Sequence, residues 1–385
     1  MSQKKFIYLV ESDLKSGSGK CAWNHLTLLQ KNSEFHPIVV TQHYNDLNYA
    51  CSENGIENHT LHYARTCCLG GGLFGWLIAF FARPFLNYRA YKTLKKKVNL
   101  KEIQFIHTNN STIDFGAYLY KKTGRPHIWH IREFLVFNGV HPPIIRKLPK
   151  YIEKNASVVI TISNTLKDFC TKQGIPNQKI QTIYDGIPLP DIKPANSNKE
   201  MSNTRIVCVG NFAPSKGQDV VIDALTKLPP ELLKQLSVDF YGEQYDIQFC
   251  KRLHNEIQKH HLESIVKFCG FSDDIRSKLS NYDIGIQSSH TEGFSLVTVE
   301  YMMAGLCIIA NGDTAVGELI EHKKTGLLIH DNDSTQMAKW IEHCIENKCH
   351  THTLGETAQR RAFENFTLEQ NFNRILNLYN KIIQQ

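Results

Sequence analysis

No apolar run in this 385-residue sequence reaches the ~20 residues that a membrane-spanning helix requires. The longest candidate, LGGGLFGWLIAFFARPFL (69–86), holds about half that length before Arg83-Pro84 interrupts it. The start, MSQKKFIYLVES, meets Glu11 after too short an apolar stretch for a secretory leader. Eleven cysteines are scattered without paired spacing, so neither a disulfide framework nor a zinc site is expected. Free thiols in a reducing cytoplasm are the expectation, with Cys67-Cys68 read as small buried hydrophobes. The 18 histidines form no cluster at metal-ligand spacing. No G-x-G-x-x-G follows an early strand, since neither VESDLKSGSGK nor VCVGNFAPSKG supplies it; a dinucleotide-dependent dehydrogenase is disfavoured. SGSGK (16–20) fails as a phosphate-binding P-loop, because Leu14 and Cys21 stand where Gly and Ser or Thr are needed.

What is present is the composition of a folded protein, 42% hydrophobic and 21% charged, at a length that favours two domains. The net charge of +7 is unevenly spread. Residues 1–190 carry 24 Lys and Arg against 12 Asp and Glu; residues 191–385 carry 20 against 25. A basic first half suits an anionic acceptor or membrane leaflet, although solvated lysines kept for solubility would look the same. Basic residues Arg89, Lys92, Lys95, Lys96 and Lys97 follow the 69–86 run. An interfacial helix on anionic lipid and a buried helix of the first domain both fit this segment (69–97).

Strand-like apolar runs alternate with helical stretches: FIYLVE (6–11), PIVVTQ, QFIHTN (104–109), HIWHIRE (127–133) and SVVITIS. This pattern predicts a doubly wound, mostly parallel sheet. IPLPDIKPANSNKEMSN reads as a linker, and RIVCVG (205–210) restarts the alternation through VDFYGE, IVKFCGF, DIGIQSS, LCIIANG and GLLIHD. The expected architecture is α/β: a first Rossmann-like domain over 1–190, a linker at 191–203, a second Rossmann-like domain over 204–365, and a terminal helix over 366–385. Phe372, Ile375, Leu376, Tyr379 and Ile382 share one face of that helix, which should dock back on the first domain. Ligands of such sheets bind at the carboxyl ends of the strands, in a cleft that two facing domains would share.

The chemistry concentrates in SSHTEGFSLVTVEYMMAGLCIIA (288–310). Glu292 sits in a turn after a strand, and Glu300 lies a little over two helical turns into the next helix. Gly293 permits close backbone approach, and the N–H groups of Phe294, Ser295 and Leu296 would face an anion from the helix start. Glu300 by itself could equally be a solvent-facing helix residue. Elsewhere, Gly17 and Gly19 open a helix after the first strand, where backbone N–H groups could meet a phosphate or sugar hydroxyl; a plain tight turn explains them as well. Asp331-Asn332-Asp333 and Asp273-Asp274 read as helix N-caps rather than metal ligands.

EGFSLVTVE resembles the E-x7-E signature of the retaining glycosyltransferases of the glycogen-synthase-like, family-four group, with Ser295 in place of the usual last glycine. VGNFAPSKGQDVVIDAL (209–225), KFCGFSDDI, AVGELIEHKKTGLLI and ITISNTLKDFCTKQGIP…IYDGIPL (160–189) resemble further elements of that family. The resemblance implies a GT-B fold of two Rossmann-like domains. It implies transfer of a sugar, with retention and without a metal or other cofactor, from a nucleotide-diphosphate sugar to an acceptor hydroxyl. The basic first half and the 69–97 segment point to a glycan or lipid-linked acceptor. Cell-surface polysaccharide or lipopolysaccharide synthesis is the expected setting, and no nucleic-acid partner is implied. Lys216 matches the lysine that clamps the diphosphate, Glu300 the ribose grip, and Glu292 the contact to the donor sugar. Phe271 and Ser272 fall where the nucleobase is held. Asn211 stands where an arginine is usual, which removes one cation. His130 in WHIRE matches the active-site histidine, with His107 as second choice. A nucleotide-sugar epimerase and a non-catalytic binding protein of the same fold are the alternatives.

Overall fold

The computed structural model describes residues 4–32, 34–66, 72–134, 148–189 and 203–384. Most of the expected linker, the Cys67-Cys68 pair and the first residues of the 69–97 segment lie outside these. The chain divides into two compact units, residues 1–186 with 369–385, and residues 187–368.

The first unit carries seven parallel strands: β1 (Lys4–Leu9), β2 (Phe35–Thr41), β3 (Asn58–Thr60), β4 (Ile103–Thr108), β5 (His127–Ile131), β6 (Val158–Thr161) and β7 (Ile180–Thr182). Their order is β3-β2-β1-β4-β5-β6-β7. Connecting helices are α1 (Gly17–Asn32), α2 (Asp46–Glu53), α3 (Gly72–Lys97), α4 (Phe115–Thr123), α5 (Leu148–Asn155) and α6 (Asn164–Lys172). Parallel strands joined by helices are covered on both faces, so these strands are apolar almost throughout rather than alternating. One face is sealed by the terminal helix: Phe372, Ile375, Leu378, Tyr379 and Ile382 pack into the core formed by Phe6, Tyr8, Phe35 and Phe105. The Tyr379 ring lies 4.6 Å from that of Phe105, and its hydroxyl meets His107 Nδ1 at 2.6 Å.

The second unit repeats the plan with β8 (Thr204–Val209), β9 (Leu236–Tyr241), β10 (Val266–Gly270), β11 (Ile284–Gln287), β12 (Cys307–Asn311) and β13 (Leu327–Ile329), ordered β10-β9-β8-β11-β12-β13 and all parallel. Its helices are α7 (Gln218–Thr226), α8 (Pro230–Leu233), α9 (Ile247–Lys259), α10 (Ile275–Leu279), α11 (Leu296–Met303), α12 (Val316–Leu319), α13 (Ser334–Glu346) and α14 (Lys348–Asn365); α15 (Leu368–Ile383) is the terminal helix. The chain enters and leaves this unit at one place. Ile187 bridges Thr367 in parallel, Ile187 N–H donates to the Phe366 carbonyl at 3.1 Å, and Leu368 N–H donates to the Ile187 carbonyl at 2.8 Å.

Among the described residues every cysteine is a free thiol, and no helix is long and apolar enough to cross a membrane.

Candidate functional site

In the second sheet the strand order reverses between β8 and β11, and ligands of open parallel sheets bind at the carboxyl edge of such a switch point. The β8 loop ends in a 3-10 turn, Pro214–Lys216, followed by Gly217 at φ +69°. A Cβ on Gly217 would lie 2.2 Å from the Ser288 carbonyl oxygen, so only glycine lets the two loops meet backbone to backbone. Hydrogen bonds complete the seam: Ser288 Oγ donates to the Gly217 carbonyl at 2.8 Å, and His290 N–H to the Ser215 carbonyl at 2.9 Å. This seam delivers Lys216 to Glu292, with Nζ 2.6 Å from Oε1. Gln287, the last residue of β11, donates from Nε2 to the same carboxylate oxygen at 3.2 Å.

The helix that follows starts at Leu296, with Ser295 as its N-cap. Ser295 takes φ +101°, a region where glycine is at home and a side chain is strained. Its hydroxyl supplies compensation. Ser295 Oγ accepts from Thr298 N–H at 3.2 Å, from Thr298 Oγ1 at 2.9 Å and from Gln287 Nε2 at 3.0 Å. The sequence substitution for glycine thus exchanges backbone freedom for a helix cap. The amide dipoles at this end favour an anion, and Glu292, Gly293 and Phe294 lead into it.

Glu300 lies in the middle of α11, half-buried. The next residue anchors the helix: Tyr301 sits on the glycine floor of Gly285, and its hydroxyl accepts the Val209 N–H at 2.7 Å. Arg276 Nε lies 3.8 Å from Glu300 Oε1, an electrostatic contact too long for a hydrogen bond, while its Nη2 donates to the Pro188 carbonyl at 2.5 Å. Two residues along α10, Lys278 Nζ donates to Ser272 Oγ at 2.9 Å. Phe271 beside it is half-exposed. One short helix therefore sets a cation against each of two positions assigned to the nucleoside from sequence.

Asn211 has a different employment from the arginine it replaces. Its Oδ1 accepts the Glu243 N–H at 3.1 Å, tying the β8 loop to the β9 loop, and its carbonyl accepts from Gln218 Nε2 at 3.0 Å. A guanidinium has no acceptor atom and could not make the first of these bonds.

In the first unit, Gly19 has a packing duty: a Cβ there would lie 1.7 Å from the Asp13 carbonyl oxygen, and Gly17 begins α1. His130 is 1% exposed and stacks on His107 at 5.5 Å between ring centroids, with His25 beyond it. Neither ring nitrogen of His130 has a hydrogen-bond partner among the described residues. Burial, reinforced by the Arg132 charge, holds both His130 and His25 down from the usual imidazole range, His25 to about 3. The groups reaching further toward the strand end are Arg132, paired with Asp185 at 2.6 Å, and Glu133, which accepts from Ser111 N–H at 3.2 Å.

Asp333 is the N-cap of α13, accepting from Thr335 and Gln336 N–H. Asp274 occupies the same place on α10 without a side-chain cap bond and instead accepts from Ser277 Oγ. Among the described residues no group of three or more His, Cys, Asp or Glu is placed to hold a metal ion. Gln287, Arg276 and Lys278 were not singled out from sequence. The only available signal was a polar residue ending the apolar β11 run.

The family described as Glycosyltransferase Family 4 matches residues 61–190, and Glycosyl transferases group 1 matches residues 191–361, so the two run together over most of the chain. The chain belongs to this glycosyltransferase group. Similar proteins include N-acetyl-alpha-D-glucosaminyl L-malate synthase of Bacillus anthracis, 24% identical over 250 residues, which make up 63% of this chain and 64% of that one. An uncharacterised glycosyltransferase of Methanocaldococcus jannaschii is 25% identical over 284 residues, 70% of each chain. The glycosyltransferase also shares its fold with Anabaena HepE, solved in complex with UDP, at a TM-score of 0.82 and 23% identity over 98% of this chain and 100% of that one. HepE has been solved with UDP-glucose as well. The fold is GT-B, two Rossmann-like parallel-sheet domains.

Proposed function

We propose that this glycosyltransferase moves a sugar from a nucleotide-diphosphate sugar to a hydroxyl of a glycan or lipid-linked acceptor, with retention at the anomeric carbon and without a metal ion. The observation that carries this reading is the Lys216–Glu292 pair at 2.6 Å, set at the start of α11. A departing diphosphate would be met by the Lys216 ammonium and by the amide dipoles of the helix start at Phe294–Leu296. Such placed charge stabilises the leaving group and costs no reorganisation during the reaction. Glu292, released from Lys216, accepts hydrogen bonds from the donor sugar's hydroxyls, and Glu300 accepts those of the ribose. Gln287 keeps the Glu292 carboxylate aimed while its ammonium partner is engaged elsewhere.

The complexes of HepE make uridine diphosphate sugars the first donors to try. The acceptor class rests on the basic first half of the chain, which suits a phosphorylated or acidic glycan. A panel of sugar nucleotides should be screened for hydrolysis or transfer, with the product's anomeric configuration read by NMR. Turnover by one donor that survives chelator, gives the retained anomer, and disappears in Lys216→Ala and Glu300→Ala is the expected result. Inversion, loss of activity with chelator, or full activity in both variants would each overturn the corresponding part of the reading.

A further inference from the structure

Between Phe81 and Lys97, helix α3 turns aromatic and basic side chains outward and packs Arg83, Asn87, Ala90 and Leu94 inward. At 3.6 residues per turn, Phe81, Phe85, Tyr88, Lys92 and Lys96 share one face, opposite Arg83, Asn87, Ala90 and Leu94. Asn87, Ala90 and Leu94 are buried and Arg83 partly so, and the two polar members are hydrogen-bonded. Arg83 Nε donates to Asp114 at 2.8 Å, Asn87 Nδ2 donates to the same carboxylate at 2.6 Å, and Asn87 Oδ1 accepts the Ala64 N–H at 2.9 Å. The orientation of the helix is therefore fixed by a buried polar network and cannot be relieved by rotation. It leaves Phe81 73%, Phe85 59% and Tyr88 46% exposed.

Single exposed hydrophobic residues are ordinary on a protein surface, but three on one helix face form a stripe. The stripe continues directly into positive charge. Arg89 lies over the Phe85 ring at 5.5 Å and Lys92 over the Tyr88 ring at 5.4 Å, and Lys95, Lys96 and Lys97 complete the last turn. No acidic residue occurs between Glu57 and Glu102, so nothing along this helix neutralises it.

We propose that this face of α3 docks on an anionic lipid bilayer, the three aromatic rings entering the headgroup–acyl boundary and the lysines behind them binding the headgroups. Aromatic rings and basic side chains on one helix face suit the interfacial layer, where apolar burial and attraction to anionic lipid add. The proposal does not depend on the donor site, which lies in the other unit.

The test uses the purified full chain in flotation with phosphatidylcholine vesicles, with and without phosphatidylglycerol. Binding to the phosphatidylglycerol vesicles alone is expected, weakening as salt rises. Phe81→Ser with Phe85→Ser should lower the partition coefficient by about tenfold or more. Lys92→Glu with Lys96→Glu should lower it by roughly fivefold for each charge removed, and further for the charge introduced. Unchanged far-UV circular dichroism and thermal midpoint identify variants that remain folded, and Tyr88→Ser is the substitute should the double phenylalanine variant fail that check. The proposal is overturned if the wild-type chain does not float with anionic vesicles, if the folded variants float as well as it does, or if light scattering shows a dimer that the phenylalanine substitutions dissociate.

Discussion

Lys216 and Glu292 bind each other at 2.6 Å although they come from different loops and are proposed to meet different parts of a donor. Each is the counter-ion of the other, so neither charge stands alone before substrate arrives. On the proposed reading, donor binding would exchange one partner for another instead of creating an interaction from nothing. Lys216→Ala should lower kcat/KM for the donor by about 10²–10³-fold, the scale of losing one charge-stabilising group. Glu292→Gln, which keeps the shape and loses the charge, should cost less. Steady-state kinetics with the donor identified by the screen decides this, and equal rates for wild type and Lys216→Ala would refute it.

Ser295 offers a test on stability alone. Ser295→Ala keeps the strained φ of +101° and loses the cap, and should destabilise the second unit by about 1–2 kcal/mol. Ser295→Gly loses the cap but relieves the strain, and should fall within about 0.5 kcal/mol of wild type. Urea unfolding of the two variants gives the comparison; alanine equal to or better than glycine would mean that the hydroxyl is not the compensating group.

Arg276 should matter to nucleotide affinity more than its exposed helix suggests. Without it, the carboxylates Glu292 and Glu300 lose one of the cations, Lys216 and Arg276, that are set beside them before an anionic ligand enters. Arg276→Gln is expected to weaken nucleoside diphosphate binding by about fivefold to thirtyfold, with Arg276→Lys intermediate because charge survives and the planar fork does not. Titration calorimetry with UDP, GDP and ADP measures it. In a Glu300→Gln background the loss should shrink, and strictly additive effects would show that the two side chains do not act together.

The buried imidazoles make the first unit sensitive to acid. Burial holds His25 at about 3 and His127 at about 4, and lowers His107 and His130 as well. An unfolded histidine titrates near ~6.5, so below that pH the unfolded chain binds protons that the folded chain refuses. Stability from these groups is complete above about pH 6.5 and falls through the window from there toward pH 3–4, by up to ~1.4 kcal/mol per pH unit for each imidazole. Denaturant unfolding at pH 7 and pH 5 should show the first unit markedly weaker at the lower pH. A midpoint that does not move would place these histidines in contact with water.

Much of the architecture was legible because parallel strands covered on both faces leave near-continuous apolar runs, such as FIYL in β1 and LCIIAN around β12. HIWHIRE was legible as a strand although histidines interrupt its apolar run; β5 lies between β4 and β6 and every residue from His127 to Ile131 is buried. The Glu292–Glu300 spacing was readable because turn and helix are local. Arg276 was not, since its proximity to Glu300 depends on how α10 packs beside α11. Asn211 was visible as a departure, but its bond to Glu243 needed the β9 loop brought alongside. Which way α3 faces was likewise decided by a partner, Asp114, far along the chain.

The bridge between Ile187 and Thr367 has a consequence for biosynthesis. A ribosome releases residues 187–368 as one uninterrupted stretch whose ends hydrogen-bond to each other, so that portion can reach its final form at once. The earlier-made portion must wait. Until Phe372, Ile375 and Tyr379 emerge, the apolar surface around Phe6 and Phe105 stays uncovered, and the part translated first is the part completed last. A nascent chain halted just short of α15 should therefore attract chaperones through its older half while its younger half is already native.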